Sequence, residues 1–285
     1  YPKILARYCL NALMQDSSES GKVQSPERRA LVMLALVISG EVIFILPFVL
    51  VRIFRPTYLD VFGLTNLELG TAFAILGTIA MIVYVPGGLL ADRFSARRLM
   101  TSALLVTGLG GLYLATIPSL TALRLLYCFW GISTMLLFWA ALIRATREWG
   151  GHDSQGRAYG LLDGGRGVTA ALFASGSVAL FTWFLPSEVE SATLAERTSA
   201  LTNIIHTFTG AVFVTAVLVW FTIPETRGID SSASRHKLSL EGVRKVLPMP
   251  SIWLLSIIVI CAYVGMKSVA FFSLYARDAF GYDEV

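Results

Sequence analysis

The chain has 285 residues, of which 55% are hydrophobic and only 15% charged, and it carries a formal net charge of +4. A soluble domain usually holds about 25% charged residues, so this composition excludes an ordinary water-soluble domain. The apolar residues are gathered into runs, and a helix crossing a bilayer needs roughly 20 of them.

The first thirty residues, which include SSESGKVQSPERR, are mixed and polar. They lack the apolar core and small-residue cleavage site of a signal peptide, and residues 1–30 read as a mostly flexible arm. Seven apolar runs follow: Leu31–Val51, Leu67–Pro86, Leu99–Ile117, Leu123–Ile143, Gly160–Leu185, Asn203–Pro224 and Ser251–Tyr275. In hydrocarbon every backbone polar group must be paired within its own segment, so all seven are expected to be helices. The chain closes on YDEV after an odd number of runs, which leads to the expectation of a truncated sequence.

Charge sets the expected orientation. Of the 23 Lys and Arg, sixteen fall in the arm and after runs two, four and six, and five fall in the alternate segments. Positive charge gathers on the cytoplasmic side, so the amino terminus is expected inside the cell. The basic balance reflects this orientation, and no basic–aromatic module points to nucleic acid. Three cysteines, Cys9, Cys128 and Cys261, form no pairing pattern and read as small apolar residues.

Ionisable residues inside the runs are the strongest functional pointers, because burying one in a membrane helix costs roughly 2.5–3.5 kcal/mol. Glu41 has ten residues of the first run on either side and sits beside the small Ser39 and Gly40. It reads as a proton carrier or substrate contact, or else as the structural partner of a buried arginine. Asp163 and Arg166, three apart, share a helix face. If the fifth helix begins near Tyr159, Arg166 lines the cavity; if it begins at Val168, the pair is interfacial. Lys267 has sixteen residues of the seventh run before it and eight after, a long reach for snorkelling. Arg124 opens run four and either snorkels or faces the pore. Arg52 and Arg55, in RIFRPTYLD, read as solvated surface charges, with attraction of anions at the outer mouth as the alternative. Two cations and two carboxylates aimed at one cavity suggest an anionic or zwitterionic solute, with protons as a possible co-substrate. A sugar pocket more typically uses neutral polar groups and aromatic faces.

Between runs two and three lies GGLLADRFSARR, Gly87 to Arg98. A turn this short joins antiparallel neighbours directly. The stretch resembles the signature loop of the major facilitator superfamily, G-x-L-A-D-R-x-G-R-R/K. Gly88, Leu90, Ala91, Asp92, Arg93 and Arg97 match, while Ser95 and Ala96 stand where the family usually has Gly and Arg.

This resemblance implies an all-α membrane protein with two six-helix bundles, substrate between them, and alternating access by rocking. On that pattern residues 31–224 are the first bundle, 225–250 a cytoplasmic loop between lobes, and 251–285 the first helix of an incomplete second bundle. It also implies that Asp92 belongs to a charge cluster that latches one state, with Arg144 or Arg147 as its partner. A fainter resemblance reaches the organophosphate antiporter and anion:cation symporter branches. FWAALIRATREW (Phe138 to Trp149) is similar to the end of helix four there, where an arginine precedes a tryptophan by five. Arg166 falls near a phosphate-binding histidine position and Lys267 near a substrate-binding arginine position. The branch's helix-one arginine is replaced by Ser39 or Gly40 beside Glu41, which suits a monoanion with a proton better than a dianion.

Enzyme motifs are missing: there is no H-E-x-x-H, no catalytic triad at one membrane level and no phosphate loop, and the histidines at 152, 206 and 236 are scattered. No cofactor or metal is expected. The reading is a monomeric transporter of a small molecule in a bacterial inner membrane. A neutral sugar or drug transporter of the same superfamily is the alternative, and a non-transporting receptor or scaffold is the rival from another class.

Overall fold

A computed structural model of the chain describes residues 25–151, 154–185, 192–225, 248–268 and 271–281; the side chains at 266, 267, 273, 274, 277 and 278 lie outside that description. Most of the arm (1–24), most of the loop expected at 225–250, and the terminal YDEV also lie outside the described residues.

Helix α1 runs Pro26–Ile53 and begins inside the stretch read as a flexible arm. Ser25 caps it by accepting the Arg28 N–H at 3.4 Å, and Pro26 fills the first turn, where its missing N–H costs nothing. The start is fastened across the fold: Arg29 donates to the Trp149 carbonyl at 3.1 Å, and the Trp149 indole donates to the Arg29 carbonyl at 2.8 Å. Near its middle α1 changes register. Pro47 cannot donate a backbone bond and its ring crowds the carbonyl four residues back. The helix widens into a π turn over Ile45–Val49, where the Val49 N–H reaches the Phe44 carbonyl.

A short helix α2 (Arg55–Phe62) ends on Gly63, whose left-handed φ of 60° suits glycine. Thr65 and Glu68 then form a reciprocal capping box that starts α3 (Asn66–Arg93). Next come α4 (Ala96–Leu114), α5 (Leu120–Gly150, with a π segment over Ile132–Trp139), α6 (Gln155–Phe184) and α7 (Leu194–Thr222). The last two helices are α8 (Pro250–Ser268) and α9 (Phe272–Phe280).

Five of these, α1, α3, α5, α6 and α7, are long and apolar enough to cross a membrane. The third expected span meets that standard less well, because Arg97 and Arg98 occupy the first turn of α4 and the helix closes after 19 residues. Within the seventh run the described residues form α8 up to Ser268 and α9 from Phe272.

Helix α1 is the centre of the packing. It contacts α5, α6 and α7, while α4 packs on α7 and α5, and α3 lies along α5. The apolar window of α1 is 72% buried inside the protein, against 11% for α3 and for α6, so α1 is the hub and those two are peripheral. Its buried residues, among them Leu36, Val42, Ile43, Leu46 and Leu50, hold the ionisable groups of α1 and α6 in register.

Candidate functional site

Helix α6 begins at Gln155, before both of the starts considered for the fifth run. Arg166 lies eleven residues in, about 17 Å along the helix. Its side chain crosses to α1. The Nε donates to the Gly40 carbonyl at 3.0 Å, Nη2 lies 3.5 Å from Glu41 Oε2, and Nη1 lies 3.4 Å from Asp163 Oδ1. Glu41 and Arg166 are mostly buried, whereas the Asp163 side chain is 70% exposed, so the Glu41 pair is the stronger of the two. The crossing depends on small residues. A Cβ on Gly165 would stand 2.7 Å from Val37 Cγ1, and one on Gly40 would stand 3.0 Å from Arg166 Cδ.

Aromatic rings surround this cation. Its guanidinium carbon lies 5.4 Å from the Trp139 ring centre and 5.9 Å from that of Phe44, within reach of a cation–π attraction. The rings continue along α1 and α3: Phe44 to Phe48 at 5.9 Å, then Phe48 to Phe73 at 5.7 Å. Phe44 directly precedes the π turn of α1, and Trp139 closes the π segment of α5. Each π turn rotates the side chains that follow it, and such turns recur at functional sites. Neither was expected from the sequence; Pro47 was the available signal for the first.

At the end of the molecule that carries Arg93, Arg97 and Arg98, Gly88, Asp92, Arg144 and Arg147 line a cavity of about 240 Å³. Asp92 is exposed and makes no ion pair within 4.0 Å among the described residues. The expected Asp92 partnership is therefore absent in this conformation. Arg144 is buried and already engaged: it donates to the Ala91 carbonyl and pairs with Glu148 at 2.7 Å. Its position one turn before Glu148 on the same helix makes that the nearest carboxylate. Arg97 pairs with Glu225 and lies over Trp220 at 4.9 Å, Arg98 reaches the same carboxylate at 2.5 Å, and Arg93 is exposed. The buried Gly87 lets α3 meet the α5 backbone closely, since a Cβ there would stand 3.0 Å from the Met135 carbonyl oxygen.

The sequence profile described as Major Facilitator Superfamily matches residues 31–285. The chain belongs to the major facilitator superfamily. It is an integral, multi-pass membrane protein with the facilitator fold, and members of this family are transporters of small molecules. Among curated relatives it is 27% identical to the inner membrane protein YqcE of Escherichia coli K12, over 89% of this chain and 58% of that protein. It is 23% identical to the inner membrane protein YihN of the same organism, over 86% of this chain and 56% of that one. A third relative, the uncharacterized protein MG294 homolog of Mycoplasma pneumoniae, is 27% identical over 74% of this chain and 47% of its own. The chain thus spans about half the length of the curated relatives it matches. No solved structure is a significant match.

Two further arginines of this facilitator chain find partners in three dimensions. Arg124 donates from its Nε to the Thr71 hydroxyl at 3.0 Å and ties α5 to α3. Arg55 is no solvated surface charge. It is 4% exposed, donates from Nε to Asn66 Oδ1 at 2.9 Å, and has the Phe271 ring 4.5 Å away. Burial lowers its pKa, opposed by nearby Tyr127, yet a guanidinium stays charged. Arg52 is exposed. Lys267 belongs to α8 by its backbone, and its side chain lies outside the described residues.

Proposed function

We propose that this chain is part of a secondary active transporter that carries a small organic anion across a bacterial inner membrane by alternating access, with protons as co-substrate. The carrying observation is Arg166, a cation deep in α6 that is held by Glu41 and the Gly40 carbonyl and bordered by the Phe44 and Trp139 rings. In the resting pair the Glu41 carboxylate occupies the guanidinium. An arriving anion must compete with it in a site where charges are poorly solvated. Protonating Glu41 removes the competitor and frees Arg166, so one proton and one monoanion load together without adding net charge. Lys267, from α8, is proposed as a second cation of that site.

The names of the E. coli relatives support the inner-membrane assignment, and the basic segments support a cytoplasmic amino terminus. Residues 31–224 are proposed as the first bundle. Asp92, Arg144 and Arg147, gathered on one cavity, are proposed as a latch that closes in another state of the cycle. Gly88, Arg93 and Arg97 shape and anchor that loop.

The aromatic run from Phe44 to Phe73 favours a second reading, a neutral or apolar solute, with the Glu41–Arg166 pair acting as a brace. Uptake by the intact gene product in proteoliposomes separates the two. Monocarboxylates, phosphate esters, inorganic anions and neutral sugars are offered to the wild type and to Arg166→Gln. Anion uptake that the substitution abolishes supports the first reading. Sugar uptake that persists in the variant overturns it in favour of the second.

A further inference from the structure

A second cation faces a separate space. Arg55, at the opposite end of α1 from Arg29, borders a cavity of about 550 Å³ together with Arg52, Phe48, Phe73, Tyr263 and Phe271. That volume lies within the usual range for small-molecule sites, about 300–1,000 Å³. Burial of Arg55 is costly, and a charge so placed normally has a carboxylate beside it. Arg55 has none within ion-pair distance among the described residues. It makes one hydrogen bond, from Nε to the neutral Asn66 amide oxygen, and its terminal amino groups make none. Close behind it the buried hydroxyls of Tyr58 and Tyr127 face each other. The region therefore holds a buried positive charge with no carboxylate beside it among the described residues, at the edge of an aromatic-walled space.

We infer that this cavity is a second anion site, taking the carboxylate of an aromatic or otherwise apolar monoanion on Arg55, with its body against Phe48, Phe73 and Phe271. Arg55 is the buried arginine of this lining, and its guanidinium fork suits a carboxylate's two oxygens. The ring walls suit a flat apolar body rather than a hydrated sugar. The Phe73–Phe48–Phe44 series joins this site to Arg166, so a ligand released from Arg55 meets the second cation along a continuous aromatic face. The inference deepens the anion reading of Arg166, on which its role as an entry site rests.

The test uses naphthoate as the probe, and naphthalene methanol as its neutral control, with the purified intact gene product in detergent; binding is followed by probe fluorescence and by stoichiometry. The wild type is expected to bind two naphthoates and to bind the alcohol more weakly. Arg55→Gln should remove one site, weakening it roughly tenfold or more, while Arg55→Lys should largely keep it. Arg166→Gln should remove the other site and leave the Arg55 site intact. A wild type that binds only one naphthoate, lost with Arg166→Gln, overturns the inference without recourse to any Arg55 variant. Two sites that both survive Arg55→Gln overturn it as well. An Arg55-dependent site alone, with Arg166→Gln silent, leaves this inference standing and defeats the central anion reading instead.

Discussion

Arg166 on α6 and Glu41 on α1 stand 3.5 Å apart although 125 positions separate them in the chain, and the same guanidinium also holds the Gly40 carbonyl at 3.0 Å. Two helices thus share one partly dehydrated pair at the level where both aromatic neighbours, Phe44 and Trp139, converge. Removing one member strands the other, which costs about 3–5 kcal/mol in a buried site, whereas removing both is far milder. Arg166→Gln is therefore expected to destabilise the protein more than the double variant with Glu41→Gln. A denaturation cycle on the four proteins checks this, and additive losses would show that the pair is not coupled.

Gly165 and Gly164 are neighbours with opposite surroundings. A Cβ on Gly165 would press on Val37 at 2.7 Å, and one on Gly164 would meet nothing within 4 Å. Gly165→Ala should lower stability by about 1–3 kcal/mol through overpacking of α1 against α6. Gly164→Ala should be neutral or stabilise by up to about 1 kcal/mol, since alanine is the better helix former. Thermal melts of the two variants decide it; equal shifts would mean that α6 does not sit this close to α1.

Glu225 receives both Arg97 and Arg98, but the Arg98 side chain is 63% exposed. Exposed pairs contribute only about 0–1 kcal/mol, so the Arg98 pair adds little, and the less exposed Arg97 pair sets a modest cost of about 1 kcal/mol for Glu225→Gln. Buried Arg144, bonded to the Ala91 carbonyl and Glu148, is different. Arg144→Ala should cost about 2 kcal/mol or more, because a buried carbonyl and a carboxylate lose a charged donor. Similar losses in the two variants would contradict the ranking.

Asp92 shares a cavity with Arg144 and Arg147 without pairing to either. If the latch closes in another state, Asp92→Asn leaves the stability of the present conformation nearly unchanged, within about 0.5 kcal/mol as for an ordinary surface site, and changes the rate of transport. Initial rates in proteoliposomes, alongside melting curves, test both halves. Unchanged kinetics would remove the latch.

The sequence by itself determined the class of the protein and most of its helices. Long apolar runs admit no other backbone solution in hydrocarbon, and GGLLADRFSARR carried the family. It also singled out Glu41, Asp163 and Arg166, since ionisable residues in such runs need a reason to be there. It did not determine which charge meets which. Only packing brings α1 and α6 close enough for Arg166 to choose Glu41, and only packing brings Arg144 to the Ala91 carbonyl. The tertiary structure alone decided the burial of Arg55. RIFRPTYLD is polar enough to pass for an exposed turn, yet it folds into α2, with Phe54 lying 4.9 Å from Phe181 and Tyr58 fully buried, and carries the arginine inward with them. Local composition reports how strongly a segment avoids water on average; the position of one side chain depends on neighbours that arrive from elsewhere in the chain.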